Sequence, residues 1–115
     1  MAVTFETALN RFITDCPLVV SVHDLTTKWR VQLKGGFALD IYFNVSNGKY
    51  SYTLAQGEDR ILGWDNAPHH PDLLNFPHHF HDEEGNVTQS KLNGDPENDL
   101  ELVRVEIERF LIERP

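Results

Sequence analysis

Residues 37–45 alternate without a break. Phe37, Leu39, Ile41, Phe43 and Val45 fall on one side, and Ala38, Asp40, Tyr42 and Asn44 on the other. A period of two marks a strand with one buried face. Asn47-Gly48 follows, and both residue types tolerate the positive φ of a two-residue type I′ turn. The return strand, residues 49–55, puts Tyr50, Tyr52 and Leu54 on one face. This pair commits the chain to an antiparallel meander with one face solvated or covered by helix.

Further strands extend the meander. Residues 18–25 are rich in β-branched side chains. Residues 29–34 alternate, with Trp29, Val31 and Leu33 opposite Arg30, Gln32 and Lys34, and Gly35-Gly36 then turns the chain. Gly57-Glu58-Asp59 reads as another turn, followed by a strand over 60–64 that ends at Asp65.

Helices flank the strands. Thr4 can cap a helix over 4–13 whose apolar face is Phe5, Leu9, Phe12 and Ile13, and Pro17 stops it. Asp95 caps a second helix, with Pro96 at its first position, where the missing N–H costs nothing. Glu97 and Asp99 suit its positive end, and Arg109 and Arg114 its negative end. Leu100, Val103, Ile107, Phe110 and Leu111 form its stripe, widened by Leu102, Val105 and Ile112. A stripe that broad serves burial in its own domain, contact with the first helix, or docking of a partner chain or second copy. The fold predicted is α+β: an antiparallel meander of four to five strands with the N- and C-terminal helices packed on one face.

At 115 residues, one domain over 1–115 is expected. No apolar run reaches the ~18 residues of a membrane-spanning helix, and Met1 to Glu6 lacks the pattern of a signal peptide. The lone Cys16 fits a reducing cytoplasm. The formal charge is −8, which argues against a large phosphate-binding surface. That charge is uneven: residues 82–115 hold ten acids against four bases, and residues 1–81 hold eight against six.

The segment from Gly63 to Asp82 concentrates chemistry. It holds three prolines and three aspartates, and five of the six histidines lie between positions 69 and 81. The prolines pre-organise it as extended chain. One reading is general acid–base catalysis by a histidine pair, with Asp65 or Asp72 orienting an imidazole and Asn66 binding a phosphate oxygen or carbonyl. A second is a divalent metal site. In extended backbone His79 and His81 face opposite to Phe80 and can share an ion, with His69 or His70 completing the set, although the spacing matches no standard zinc motif. A third is structural, with histidines stacking on Trp64, Phe76 and Phe80. His23, Cys16 and the strand tyrosines Tyr42, Tyr50 and Tyr52 are weaker candidates, better read as sheet or core residues. No Gly-rich phosphate loop, serine elbow or recognition helix is present.

Trp64-Asp65-Asn66-Ala67-Pro68-His69-His70-Pro71-Asp72, followed by Phe76-Pro77-His78-His79-Phe80-His81, resembles the signature of the TumE-like family. These are small prokaryotic toxins of toxin–antitoxin systems. The meander before the signature and the acidic helix after it extend the resemblance over most of the chain. It implies a cognate antitoxin partner and, as usual for small toxins, a metal-independent endoribonuclease with no required cofactor and RNA as substrate. It also implies site positions Asp65, Asn66, His69, His70, His78, His79 and His81. The family pattern commonly places one basic residue before the aromatic-Asp-Asn run and another within the His-His-x-His group. Here Gly63 and Phe80 occupy those positions, so two cations expected beside a phosphate are missing.

Overall fold

A computed structural model describes residues 4–113. Helix α1 spans Phe5–Asp15 and is capped by Thr4, whose hydroxyl accepts the Thr7 N–H at 3.2 Å. Strands β1 (Val19–Asp24) and β2 (Trp29–Leu33) follow, then one 3₁₀ turn at Lys34–Gly36. Next come β3 (Phe37–Phe43), β4 (Tyr50–Gln56), β5 (Asp59–Asp65), β6 (His79–His81) and β7 (Val87–Gln89). Helix α2, Pro96–Ile112, closes the chain; its cap Asp95 accepts the Glu97 N–H at 3.1 Å. Arg114 lies outside the described residues.

All seven strands pair antiparallel in chain order. The α+β class and the flanking helices stand as predicted, but the strand count of four to five is corrected to seven. The additional strands, β6 and β7, have three residues each. Three residues show too little alternation to be read, and their pairing is set by the neighbouring strand. Their turn is built on Asp82, whose carboxylate accepts the N–H groups of Glu84 at 2.9 Å and Asn86 at 2.8 Å.

The β3–β4 connection also differs from the two-residue turn predicted. Pairing ends at Phe43↔Tyr50. The Asn44 side-chain oxygen accepts the N–H of Ser46 at 2.9 Å and of Asn47 at 3.3 Å. Gly48 has φ 75°, whereas Asn47 is not among the positive-φ residues, as a type I′ turn would require. The local acceptor at Asn44 bends the chain before Asn47-Gly48 can fold back on itself. Val45, on the buried side by alternation, is therefore 78% exposed.

Both helices cover the same sheet face. Ala8, Leu9 and Phe12 of α1 and Leu100, Val103 and Ile107 of α2 join one core with Val31, Leu33, Leu39, Ile41, Tyr50, Tyr52, Leu54, Leu62 and Trp64. Each side chain fully buried this way gains roughly 1.5–3 kcal/mol relative to exposure. On α2, Val105 and Ile112 stay exposed. An ion pair between Arg11 and Glu97 links the two helices. The opposite sheet face is polar: Arg30 grips Asp40 through two hydrogen bonds of 2.8 and 3.0 Å, and Lys28 adds a third at 2.7 Å.

Tyr52 is fully buried, and among the described residues its hydroxyl has no hydrogen-bond partner. A buried unpaired hydroxyl costs free energy that a phenyl ring avoids. Tyr52→Phe should therefore stabilise the fold by about 1 kcal/mol, read as a melting temperature higher by ~4 °C. Asp40 gives a pH-dependent counterpart. Its partial burial opposes ionisation, but hydrogen bonds from Arg30 and Lys28 prevail and hold its carboxyl below the ordinary 3.8. A depressed folded-state pKa gives stability that is present above the unfolded value and lost as pH falls through the folded one. Asp40→Asn should lower stability in chemical denaturation at pH 7, and the deficit should close as pH falls below about 4.

Candidate functional site

Strands β5 and β6 pair as Gly63↔His81, Trp64↔Phe80 and Asp65↔His79. Side chains alternate across a sheet, so this register sorts the histidine segment into two sets. Trp64 and Phe80 point into the helix-covered core, their rings 5.2 Å apart. Asp65, His79 and His81 meet on the polar face.

There the Asp65 carboxylate lies between two imidazoles. Its Oδ1 is 2.8 Å from His79 Nε2, and its Oδ2 is 3.1 Å from His81 Nε2. His79 is buried, with 3% of its side chain exposed. Its Nδ1 is 3.0 Å from the Pro77 carbonyl, which can only accept, so Nδ1 carries a proton. In His81 the roles reverse. The Arg60 guanidinium donates to Nδ1 at 2.9 Å, so the proton is on Nε2 and is donated to Asp65. Burial, and then the charge of Arg60, push the His81 pKa down against the opposing pull of Asp65.

The segment between β5 and β6 folds back over this trio. Ala67 donates to the Asp65 carboxylate at 3.0 Å, and Leu73 donates to the His70 carbonyl at 3.1 Å. His70 adopts a left-handed φ of 59°. The rings of His69, His70, His79 and His81 form a chain with centroid spacings of 6.4, 5.4 and 5.1 Å, each pair edge-on. All four line one pocket of about 340 Å³. His69 and His70 are exposed, and among the described residues their ring nitrogens have no hydrogen-bond partner.

Asn66 and His78 play other parts. The Asn66 side-chain oxygen accepts the Tyr50 N–H at 3.0 Å, and its NH₂ donates to the Gly48 carbonyl at 3.0 Å. It lines the pocket while holding the 44–49 turn against the segment after β5. His78 turns to the core side, where its ring stacks on Tyr50 at 5.8 Å and its Nδ1 is 2.8 Å from the Tyr50 hydroxyl. It does not join the other four histidines. Asp72 is exposed and does not line the pocket. His23, on edge strand β1, bonds Ser21 at 2.9 Å. Burial raises the pKa of the Cys16 thiol, which suits an inert core residue.

Two cations of the pocket wall escaped the sequence reading: Arg60 and Lys49. Among the described residues, the Lys49 ammonium has no ion-pair partner. Gly63 lies beneath Arg60: a Cβ there would be 3.8 Å from Arg60 Nε and 3.7 Å from His81 Cβ. The bare strand at 63 leaves that volume to the Arg60 side chain. Phe80 faces the core, so a cation at 80 would not reach this pocket at all. Alternation along β5, with Trp64 on the core face, is the sequence signal from which position 63 could have been assigned to the pocket face.

The family model for toxin TumE matches residues 9–112. The chain belongs to the TumE toxin family. No match was found among curated proteins or among solved structures. The TumE match covers the second half of α1, all seven strands, the histidine segment and all of α2. Among the described residues, no helix is long and apolar enough to cross a membrane.

Asn66→Ala should leave two backbone groups of the turn without partners and cost roughly 1–3 kcal/mol in chemical denaturation. Hydrogen exchange at the Tyr50 amide should speed up in the same variant.

Proposed function

We propose that this chain is the toxin component of a toxin–antitoxin system and that its pocket cleaves RNA by histidine acid–base chemistry without a metal. The observation that carries the proposal is the side-by-side placement of His69 and His70, unpaired and exposed, beside Arg60 and Lys49. In this chemistry one neutral imidazole takes the proton of a ribose 2′-hydroxyl. The freed oxygen attacks phosphorus, and the bond to the 5′-oxygen breaks. A second, protonated imidazole gives its proton to that leaving oxygen. Arg60 and Lys49 supply positive charge to the phosphate oxygens. Asp65, His79 and His81 form the floor that holds Arg60 and backs His70.

The local charge supports the reading. Arg60 and Lys49 outweigh Asp65 in the pocket wall, although the chain as a whole is at −8. Ten of the 18 acidic residues lie in the last third of the chain, and Asp65 is the one carboxylate among the residues that line the pocket. A cognate antitoxin would silence the toxin by binding it. Cytoplasmic RNA is the substrate class proposed.

Purified protein should cleave RNA in the presence of a chelator. His69→Ala and His70→Ala should each slow cleavage by roughly 100-fold or more. Both residues are exposed, so melting temperature should stay unchanged. Absence of cleavage by the unsubstituted chain, or undiminished cleavage by both variants, overturns the proposal.

A further inference from the structure

We propose that Asp65, His79 and His81 form a binding site for one divalent transition-metal ion of the zinc or nickel type, and that Arg60 competes with the metal for His81. The imidazole nitrogens and a carboxylate oxygen of the three residues lie within 4.8 Å of one another. His79 is already oriented as a ligand. Its Nδ1–H is bound to the Pro77 carbonyl, which leaves Nε2, 2.8 Å from Asp65 Oδ1, as the nitrogen available to a metal. A backbone carbonyl on the far nitrogen is the usual support of a metal-bound histidine.

Two imidazole nitrogens and one carboxylate suit zinc, nickel, copper or iron, whereas magnesium and calcium prefer oxygen alone. Bonds of ~2.0–2.1 Å in a tetrahedron hold ligand atoms ~3.3 Å apart. The 2.8 and 3.1 Å contacts run to the two different oxygens of Asp65, and with all three ligand atoms within 4.8 Å of one another a shift of roughly 1 Å brings them to that spacing. The fourth position faces the pocket, where water or His70 can fill it; the His70 ring is 5.4 Å from that of His79.

Arg60 sets the sign of the test. By donating to His81 Nδ1, it keeps the proton on Nε2, the atom a metal requires. A metal on Nε2 puts the ring proton on Nδ1, where it faces the guanidinium N–H. Arg60 then has to release His81. A filled site also adds a dication beneath the phosphate-binding wall and offers His70 a ligand position; this consequence for RNA cleavage rests on the function proposed above.

The test is calorimetric titration of the full chain with zinc chloride near pH 7, with magnesium chloride as control. One zinc per chain and no magnesium binding are expected. Arg60→Gln should tighten zinc binding by ~10-fold, because it removes a charge-assisted hydrogen bond that the metal must break. His79→Ala should weaken it by more than ~10-fold. Because His79 is buried, Asp65→Asn serves as a second ligand-deficient variant, with the fold of both checked by circular dichroism. No zinc binding in either the unsubstituted chain or Arg60→Gln overturns the proposal. So does binding that survives both ligand substitutions but is lost in His69→Ala/His70→Ala, or binding that weakens in Arg60→Gln. Zinc should also slow RNA cleavage. If the chain cleaves no RNA, the proposed function fails while the titration still decides the metal site.

Discussion

Everything distinctive about this molecule follows from a short stretch of pairing between β5 and β6. Register in a sheet is all-or-none: a shift of one residue exchanges the two faces. Here the large rings Trp64 and Phe80 fix it, because both gain core burial only on the helix side. Asp65, His79 and His81 are then forced together on the other side. The energy that assembles the polar trio is thus hydrophobic and acts from the opposite face. A site built this way is as firmly placed as the core beneath it.

Around that trio, charge and hydrogen bonding are arranged in opposition. Asp65 accepts from His81 Nε2, while the neighbouring charge of Arg60 opposes a positive His81. The two histidines hold their protons on different nitrogens although they lie two residues apart, because Nδ1 of His79 faces the Pro77 carbonyl and Nδ1 of His81 accepts from Arg60. Four imidazoles in edge-on contact then extend from the buried floor to the exposed rim. The gradient runs from His79, buried and bonded to the Pro77 carbonyl, to His69 and His70, which are exposed.

The longer elements were legible in the sequence because their signals are local. The alternation of β3 and the caps at Thr4 and Asp95 each lie within one element. Extended-chain geometry likewise sets His79 and His81 on one face and turns His78 with Phe80 to the other, as found. Strands β6 and β7 were not legible, since three residues carry no period and their existence depends on a neighbour. The Asn47-Gly48 turn misled because Asn44, three residues upstream, captured the backbone first. Arg60 was invisible for a further reason. It reaches the pocket by lying across the strand over Gly63 to a histidine 21 residues away in sequence, and no spacing along the chain encodes that reach.

The glycine at position 63 also bears on the shape of the pocket face. A Cβ there would meet Arg60 Nε at 3.8 Å and His81 Cβ at 3.7 Å, ordinary contact distances, so a methyl group fits without displacing either. A longer side chain would have to share with Arg60 the ground beside His81. This chain brings its cation to that face from position 60 instead, three residues earlier on the same strand.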